Sequence, residues 1–187
     1  MPKIADARVL ILATNGFEQL ELTVPRDELR RAGAKVDVAS PEGKPIRGWN
    51  IKDWGDTVES DCKIADAKPA DYDALVLPGG QINPDLLRID KDALKIIRAF
   101  IDSGKVVAAV CHAPWLLIET DAVKGREMTS YKSIRKDVEN AGGRWVDNEV
   151  VVSDGIITSR SPQDLGAFTR KIVEELEEGR HERRRVA

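Results

Sequence analysis

Three short runs constrain this chain more than any other feature. Residues 7–13, 74–77 and 106–110 are apolar at nearly every position, with Arg8 the one charged member. A strand with one face in water alternates apolar and polar residues, because successive side chains point to opposite faces. Runs without that alternation are covered on both faces, which is the situation of parallel strands flanked by helices. Residues 35–40 read as a further strand, and amphipathic stretches fall between these runs. Residues 21–32 read as a helix in which Pro25 is tolerated only near the first turn. Residues 92–103 place Leu94, Ile97 and Ile101 on one stripe. Ser161-Pro162-Gln163-Asp164 opens a last helix with a capping serine and a first-turn proline; it buries Leu165, Phe168, Ile172, Val173 and Leu176 and stops at Gly179. Residues 41–61, with Trp49 and Trp54, read as a hairpin excursion, and residues 150–158, turning at Asp154-Gly155, as a late hairpin. Strands alternating with helices make a doubly wound α/β sandwich with a mostly parallel central sheet.

The 187 residues suffice for one domain. We place it at 1–179, followed by a basic C-terminal tail, 180–187, that is expected to be disordered. A chain this long buries roughly 70% of its unfolded surface, so no disulfide or metal staple is required. The two cysteines, Cys62 and Cys111, supply neither a disulfide framework nor a four-thiolate metal site. Apolar runs stay short of the roughly 20 residues of a membrane span, and no signal peptide opens the chain. The expectation is a cytoplasmic protein that avoids membranes. Net charge is −3; the tail holds four arginines and one glutamate, a contribution of +3, which leaves the body at −6. That is no footprint for nucleic acid. Trp49, Trp54, Trp115 and Tyr131 are expected in the core, and Cys62 serves as a small hydrophobe.

In doubly wound sheets, ligands gather where loops leave the carboxyl ends of the strands. Three such loops carry chemistry: Thr14-Asn15-Gly16-Phe17-Glu18, Pro78-Gly79-Gly80-Gln81 and Cys111-His112. Cys111 lies at a strand-to-helix turn, facing the positive end of the following helix, which favours thiolate. Ala109 and Ala113 are the small residues such an elbow needs two positions on either side. Gly79 and Gly80 let backbone amides approach a developing oxyanion. Glu18 is the nearby acid, either bonded to the sulfur or beginning a helix. The only other histidine is His181, so an imidazole base has to be His112. Adjacent residues reach roughly 3 Å only across a strained elbow. No phosphate-binding glycine motif follows the first strand.

Together these segments resemble the PfpI family of intracellular proteases and stress proteins, which also contains the parkinsonism-associated deglycase and shares a superfamily with class I glutamine amidotransferases. The likeness rests on Gly16-Phe17-Glu18-Gln19-Leu20-Glu21-Leu22, Ala74-Leu75-Val76-Leu77-Pro78-Gly79-Gly80, Ala109-Val110-Cys111-His112-Ala113-Pro114 and Gly125-Arg126-Glu127-Met128-Thr129-Ser130. It continues through residues 141–152 and 158–165. The resemblance implies a flavodoxin-like sandwich, in a dimer or a ring of dimers, with Cys111 as nucleophile, His112 as its imidazole and Glu18 as the acid on the sulfur. It also implies a carboxylate reaching His112 from a neighbouring subunit. The matching residue is Asp85, shorter than the usual glutamate.

Two chemistries suit these groups without metal or cofactor. One is attack on a reactive carbonyl, as in a glyoxalase or deglycase acting on 2-oxoaldehydes; the other is attack on a peptide carbonyl. We favour the small carbonyl over the peptide. A non-enzymatic redox sensor or chaperone-like protein would use the same cysteine. A glutamine amidotransferase needs a His-x-Glu pair on the sheet, and only His181-Glu182 in the tail comes near.

Overall fold

The computed structural model describes residues 3–179. The basic tail and His181 lie outside the described residues. In chain order the strands and helices are β1 (Arg8–Leu12), α1 (Gln19–Arg31), β2 (Lys35–Ser40), β3 (Ile46–Asn50), β4 (Asp53–Val58), β5 (Cys62–Lys63) and β6 (Ala74–Leu77). There follow α2 (Ile82–Leu87), α3 (Lys91–Asp102), β7 (Val106–Val110), α4 (Pro114–Glu119), β8 (Glu127–Met128), α5 (Arg135–Asn140), β9 (Arg144–Trp145), β10 (Val150–Ser153), β11 (Ile156–Ser159) and α6 (Leu165–Glu178).

The central sheet has 7 strands in the order β10-β11-β7-β6-β1-β2-β5. All neighbours run parallel except β10, which returns antiparallel beside β11. This is the flavodoxin-like α/β arrangement expected of doubly covered strands. The apolar runs divide by parity. Val9 and Ile11 of β1 join a core with Leu22 and Leu29 of α1 and Phe168 and Ile172 of α6. Leu10 and Leu12 join the opposite core with Ile97 and Phe100 of α3 and Leu116 and Leu117 of α4. Each fully buried large side chain contributes roughly 1.5–3 kcal/mol. The chain order reverses between β1 and β6, so the crevice at their carboxyl ends is the switch point of the sheet.

Several local expectations are corrected. α1 starts at Gln19, which puts the buried Pro25 inside the helix, where it lacks the N–H that would bond the Glu21 carbonyl. The buried stripe of α3 is Ala93, Ile96, Ile97 and Phe100, while Leu94 and Ile101 are half-buried; Asp90 caps it by accepting from the Asp92 and Ala93 amides. Ser161 makes no capping bond: Pro162–Asp164 forms a 3-10 turn, and the Ser161 hydroxyl faces Gln163 instead. In α6 Val173 is only half-buried, and Gly179 closes the helix with φ of 96°. Trp49, Trp54, Trp115 and Tyr131 are not core residues, and Trp54 is 41% exposed. Their polar edges explain this, since the Trp49 and Trp115 indole N–H groups donate to the Ile51 carbonyl and the Asp137 carboxylate near the surface. Cys62 is half-buried against the second core. Among the described residues no helix is long and apolar enough to cross a membrane.

Candidate active site

β7 is buried at all five positions and ends in Cys111, a non-glycine residue with φ of 64°. A left-handed conformation costs a β-carbon-bearing residue about 1–2 kcal/mol, so neighbouring bonds must hold it. They do so on both sides: the Cys111 N–H donates to the Ser159 carbonyl at 3.0 Å, extending the β11–β7 pairing, and its carbonyl accepts from the Tyr131 N–H at 2.8 Å. Ala109 and Ala113, both fully buried, leave no room for larger side chains beside the turn. The strained turn is what brings adjacent residues together. Cys111 Sγ lies 3.1 Å from His112 Nδ1. The ring stacks on Tyr131 at 4.9 Å, meets Trp115 edge-on at 5.3 Å, and presents Nε2 to Ser133 Oγ at 3.1 Å.

The acid on the sulfur is Glu21 rather than Glu18. Glu21 is fully buried on α1, and its carboxyl interacts directly with the Cys111 thiol. Its Oε2 accepts from the Gly79 N–H at 2.9 Å, and burial pushes its carboxyl up to about 8. Glu18 stands at the helix N-cap instead, half-buried in the cleft wall, with its own carboxyl raised by burial. Glu21, Pro25 and Leu29 share one buried stripe at a spacing of four, and that spacing was the available signal. Glu18 is the glutamate nearest the strand end but precedes the helix, whereas the helical period turns Glu21 inward.

The glycine pair divides its work differently from expectation. The Gly79 amide is committed to Glu21 and is not a free oxyanion donor. A β-carbon at Gly79 would sit 2.5 Å from Glu21 Oε2 and 2.7 Å from Cys111 Cβ, so glycine there lets acid and thiol approach each other. The Gly80 amide interacts with both the sulfur and the Glu21 carboxyl, and the His112 amide with the sulfur. Gly80 adopts φ of 82°, and its backbone packs against Gly16 and Glu18. Asn83 ties the loops together: its amide group donates to the Pro78 carbonyl at 2.9 Å and accepts from the Thr14 N–H at 2.8 Å.

These groups open onto a cleft of about 480 Å³ whose walls include Glu18, Trp49, Ile51, Ile82 and Tyr131. The β3–β4 hairpin forms one rim, held by the Trp49 N–H on the Phe17 carbonyl at 2.7 Å. Asp85 is exposed on α2 and makes no contact with His112 within the chain. Among the described residues no group of three His, Cys, Asp or Glu side chains is disposed to hold a metal ion.

The electrostatics differ from the simple elbow argument. Burial, with Glu21 beside it, pushes the Cys111 thiol well up, and the Gly80 and His112 amides oppose this only in part. Burial lowers His112, so at neutral pH its ring is uncharged. The resting pair is therefore a thiol beside a neutral imidazole, with a protonated carboxyl behind the sulfur. At 3.1 Å the His112 Nδ1 is within reach of the thiol proton, and Glu21 is within reach of the sulfur.

The DJ-1/PfpI family model matches residues 7–175. The chain is 44% identical over 168 residues to protein/nucleic acid deglycase 2 of Escherichia coli, covering 89% of this chain and 95% of that one. It is 44% identical over 165 residues to the putative cysteine protease YraA of Bacillus subtilis, covering 88% and 95%. Among solved structures, Drosophila melanogaster DJ-1beta superposes with a TM-score of 0.82 at 29% identity, covering 95% of each chain.

Proposed function

This chain belongs to the DJ-1/PfpI family, and from that premise we propose that it is a cysteine-dependent enzyme acting on 2-oxoaldehydes or their early adducts on amines. Relatives named as deglycases and as a putative cysteine protease support an activity of the DJ-1/PfpI type. The observation that carries the finer reading is Cys111 Sγ at 3.1 Å from His112 Nδ1, with two backbone amides on the sulfur, at a cleft of about 480 Å³. That volume lies near the lower end of the range for small-ligand pockets.

In the proposed reaction His112 Nδ1 takes the thiol proton as sulfur attacks the aldehyde carbon. The C=O π pair moves to oxygen, is met by the Gly80 and His112 amides, and takes the proton to give a hemithioacetal. Loss of the C–H proton from that carbon, with protonation of the adjacent carbonyl oxygen, gives an enediol. Reprotonation at the adjacent carbon leaves a thioester. Water then cleaves the thioester, releasing a 2-hydroxy acid and restoring the thiol. Glu21 donates to the sulfur whenever it is anionic, and Glu18 in the cleft wall is the group placed to carry protons to and from substrate.

A cytoplasmic redox sensor would want an exposed, low-pKa thiolate. Cys111 is 5% exposed, at the inner end of a cleft that admits a small molecule, which favours turnover over sensing. We also propose a homo-oligomer, a dimer or ring of dimers, in which Asp85 of a second copy approaches the His112 side of the cleft. The test assays wild type, Cys111→Ala, His112→Ala and Asp85→Ala with methylglyoxal, a glycated amine and a fluorogenic peptide. The reading expects hydroxy-acid formation that disappears with Cys111→Ala; full carbonyl turnover by that variant sinks it. Cleavage of peptide alone would move the assignment to a cysteine peptidase. Full activity in a diluted monomer would remove Asp85.

A further inference from the structure

His112 is held by aromatic contacts that leave one ambiguity unresolved. Tyr131 stacks on the ring with planes 24° apart, and Trp115 meets it at 61°. Both contacts survive a 180° flip about the ring's own axis. The flip would turn a carbon toward Cys111 and carry Nε2 away from its present place. Directional contacts to the ring nitrogens separate the two orientations: Nδ1 meets Cys111 Sγ at 3.1 Å on the reacting side, and Nε2 meets Ser133 Oγ at 3.1 Å on the other, the one contact that does not involve the reacting thiol. Neutral imidazole has one N–H and one lone pair. A ring that accepts the Cys111 proton at Nδ1 carries its hydrogen at Nε2, where Ser133 is the acceptor.

We propose that Ser133 is a positioning residue for the Cys111–His112 pair: its hydroxyl holds the orientation of the imidazole and can accept from Nε2–H when Nδ1 faces the thiol. The proposal rests on the reading of His112 as the base. Ser133 lies in the 3-10 turn Lys132–Ile134, directly after Tyr131, whose N–H is bonded to the Cys111 carbonyl at 2.8 Å. The turn that carries the hydroxyl is thus fastened to the elbow that carries the thiol. Because Oγ is neutral, it orients the ring without stabilising the imidazolium, as a carboxylate at the same place would. The site then has an oriented base within a single chain. An arriving carboxylate from a second copy would compete for Nε2 or share it.

The other titratable groups near the ring are Cys111 on the same turn, Glu21 behind the sulfur, Glu18 across the cleft and Tyr131 on its face. Arg88 and Asp137 contact Trp115 rather than the ring. Lys132 flanks Ser133 and is exposed, and Arg135 pairs with Glu139.

The experiment follows alkylation of Cys111 by iodoacetamide against pH, read on the Cys111 peptide by mass spectrometry so that Cys62 does not contribute. Wild type, Ser133→Ala, Ser133→Thr and Ser133→Asp are compared at fixed protein concentration. Ser133 is exposed, so all four are expected to fold, and far-UV circular dichroism verifies this. Ser133→Ala should lower the neutral-pH rate roughly 3- to 10-fold, the range for loss of one hydrogen bond. Ser133→Thr should restore it, and Ser133→Asp should move the acid limb to higher pH by about a unit. An unchanged profile in Ser133→Ala, or no rescue by Ser133→Thr, overturns the proposal. Alkylation needs no turnover, so a wild type inactive on every carbonyl would defeat the proposed function while leaving this test decisive.

Discussion

Replacing Glu21 with glutamine should make the protein more stable at neutral pH while leaving it little changed in acid. Glu21 is fully buried and its carboxyl is pushed from an ordinary 4.5 up to about 8. The folded state therefore keeps a proton that the unfolded chain releases above pH 4.5. Below that value both states are protonated and the side chain costs nothing. Between 4.5 and 8 the folded state binds more protons, so stability falls as pH rises, by about 1.4 kcal/mol per unit. From pH 4.5 to 7 the loss is on the order of 3 kcal/mol, and it levels off above 8. The Cys111 thiol stays out of this window because its ordinary value is 9.0 and the fold raises it further. Glutamine keeps the acceptor for the Gly79 N–H and presents an uncharged donor group near the sulfur, so it copies the protonated acid. For a chain of this size about 3 kcal/mol corresponds to roughly 6–12 °C in Tm. Thermal unfolding of wild type and Glu21→Gln at pH 4, 5, 6, 7 and 8, at one protomer concentration, gives the comparison directly. The curves should meet near pH 4 and diverge upward, with the variant higher. Parallel curves across the range, or a variant less stable at pH 8, would refute a protonated Glu21 in the folded state.

Gly79→Ala should cost about 1–3 kcal/mol as a small-to-large change in a packed site, and should also abolish activity, because its β-carbon would meet Glu21 Oε2, the Val110 carbonyl and Cys111 Cβ within 2.7 Å; chemical denaturation beside a turnover assay separates the two effects. Phe168→Ala removes a fully buried ring between α6 and the sheet and should cost about 3–5 kcal/mol, read as a shift in urea midpoint. The acid limb of kcat/KM should fall below pH 6.5, since burial lowers His112 and activity disappears as the ring protonates; a limb above 6.5 would point to a different base.

Much of the fold was legible because its signals are local. β6 and β7 fall on residues 74–77 and 106–110, since a strand covered on both faces must be apolar residue after residue and these runs are too short for helices, while β2 matches residues 35–40 although Lys35 and Asp37 interrupt its apolar positions. The late hairpin is visible in its turn residues Asp154-Gly155, and Gly179 in its place after α6, whereas the β3–β4 hairpin turns at Ile51-Lys52, which carry no turn signature. The start of α1 was less clear, because a proline inside a helix argues for a later beginning and only tertiary burial of Pro25 offsets its missing hydrogen bond. The four aromatic residues are not fully buried: Trp49 and Tyr131 line the cleft, Trp115 donates to Asp137 near the surface, and Trp54 is 41% exposed.

The cysteine at the end of an apolar strand, the adjacent histidine and the glycine pair were all evident in the order of residues, as was the layered α/β class they sit in. Which acid faces the sulfur, which glycine amide is already committed, and which hydroxyl holds the imidazole were decided only in three dimensions. The reason is geometric: Glu18 is the extended residue that precedes α1, whereas Glu21 lies within the helix on the buried stripe it shares with Pro25 and Leu29. Ser133 lies 21 positions from His112 and meets it because the Tyr131 N–H is bonded to the Cys111 carbonyl. Burial, which no single residue specifies, then raises Glu21 and Cys111 and lowers His112 from their ordinary values.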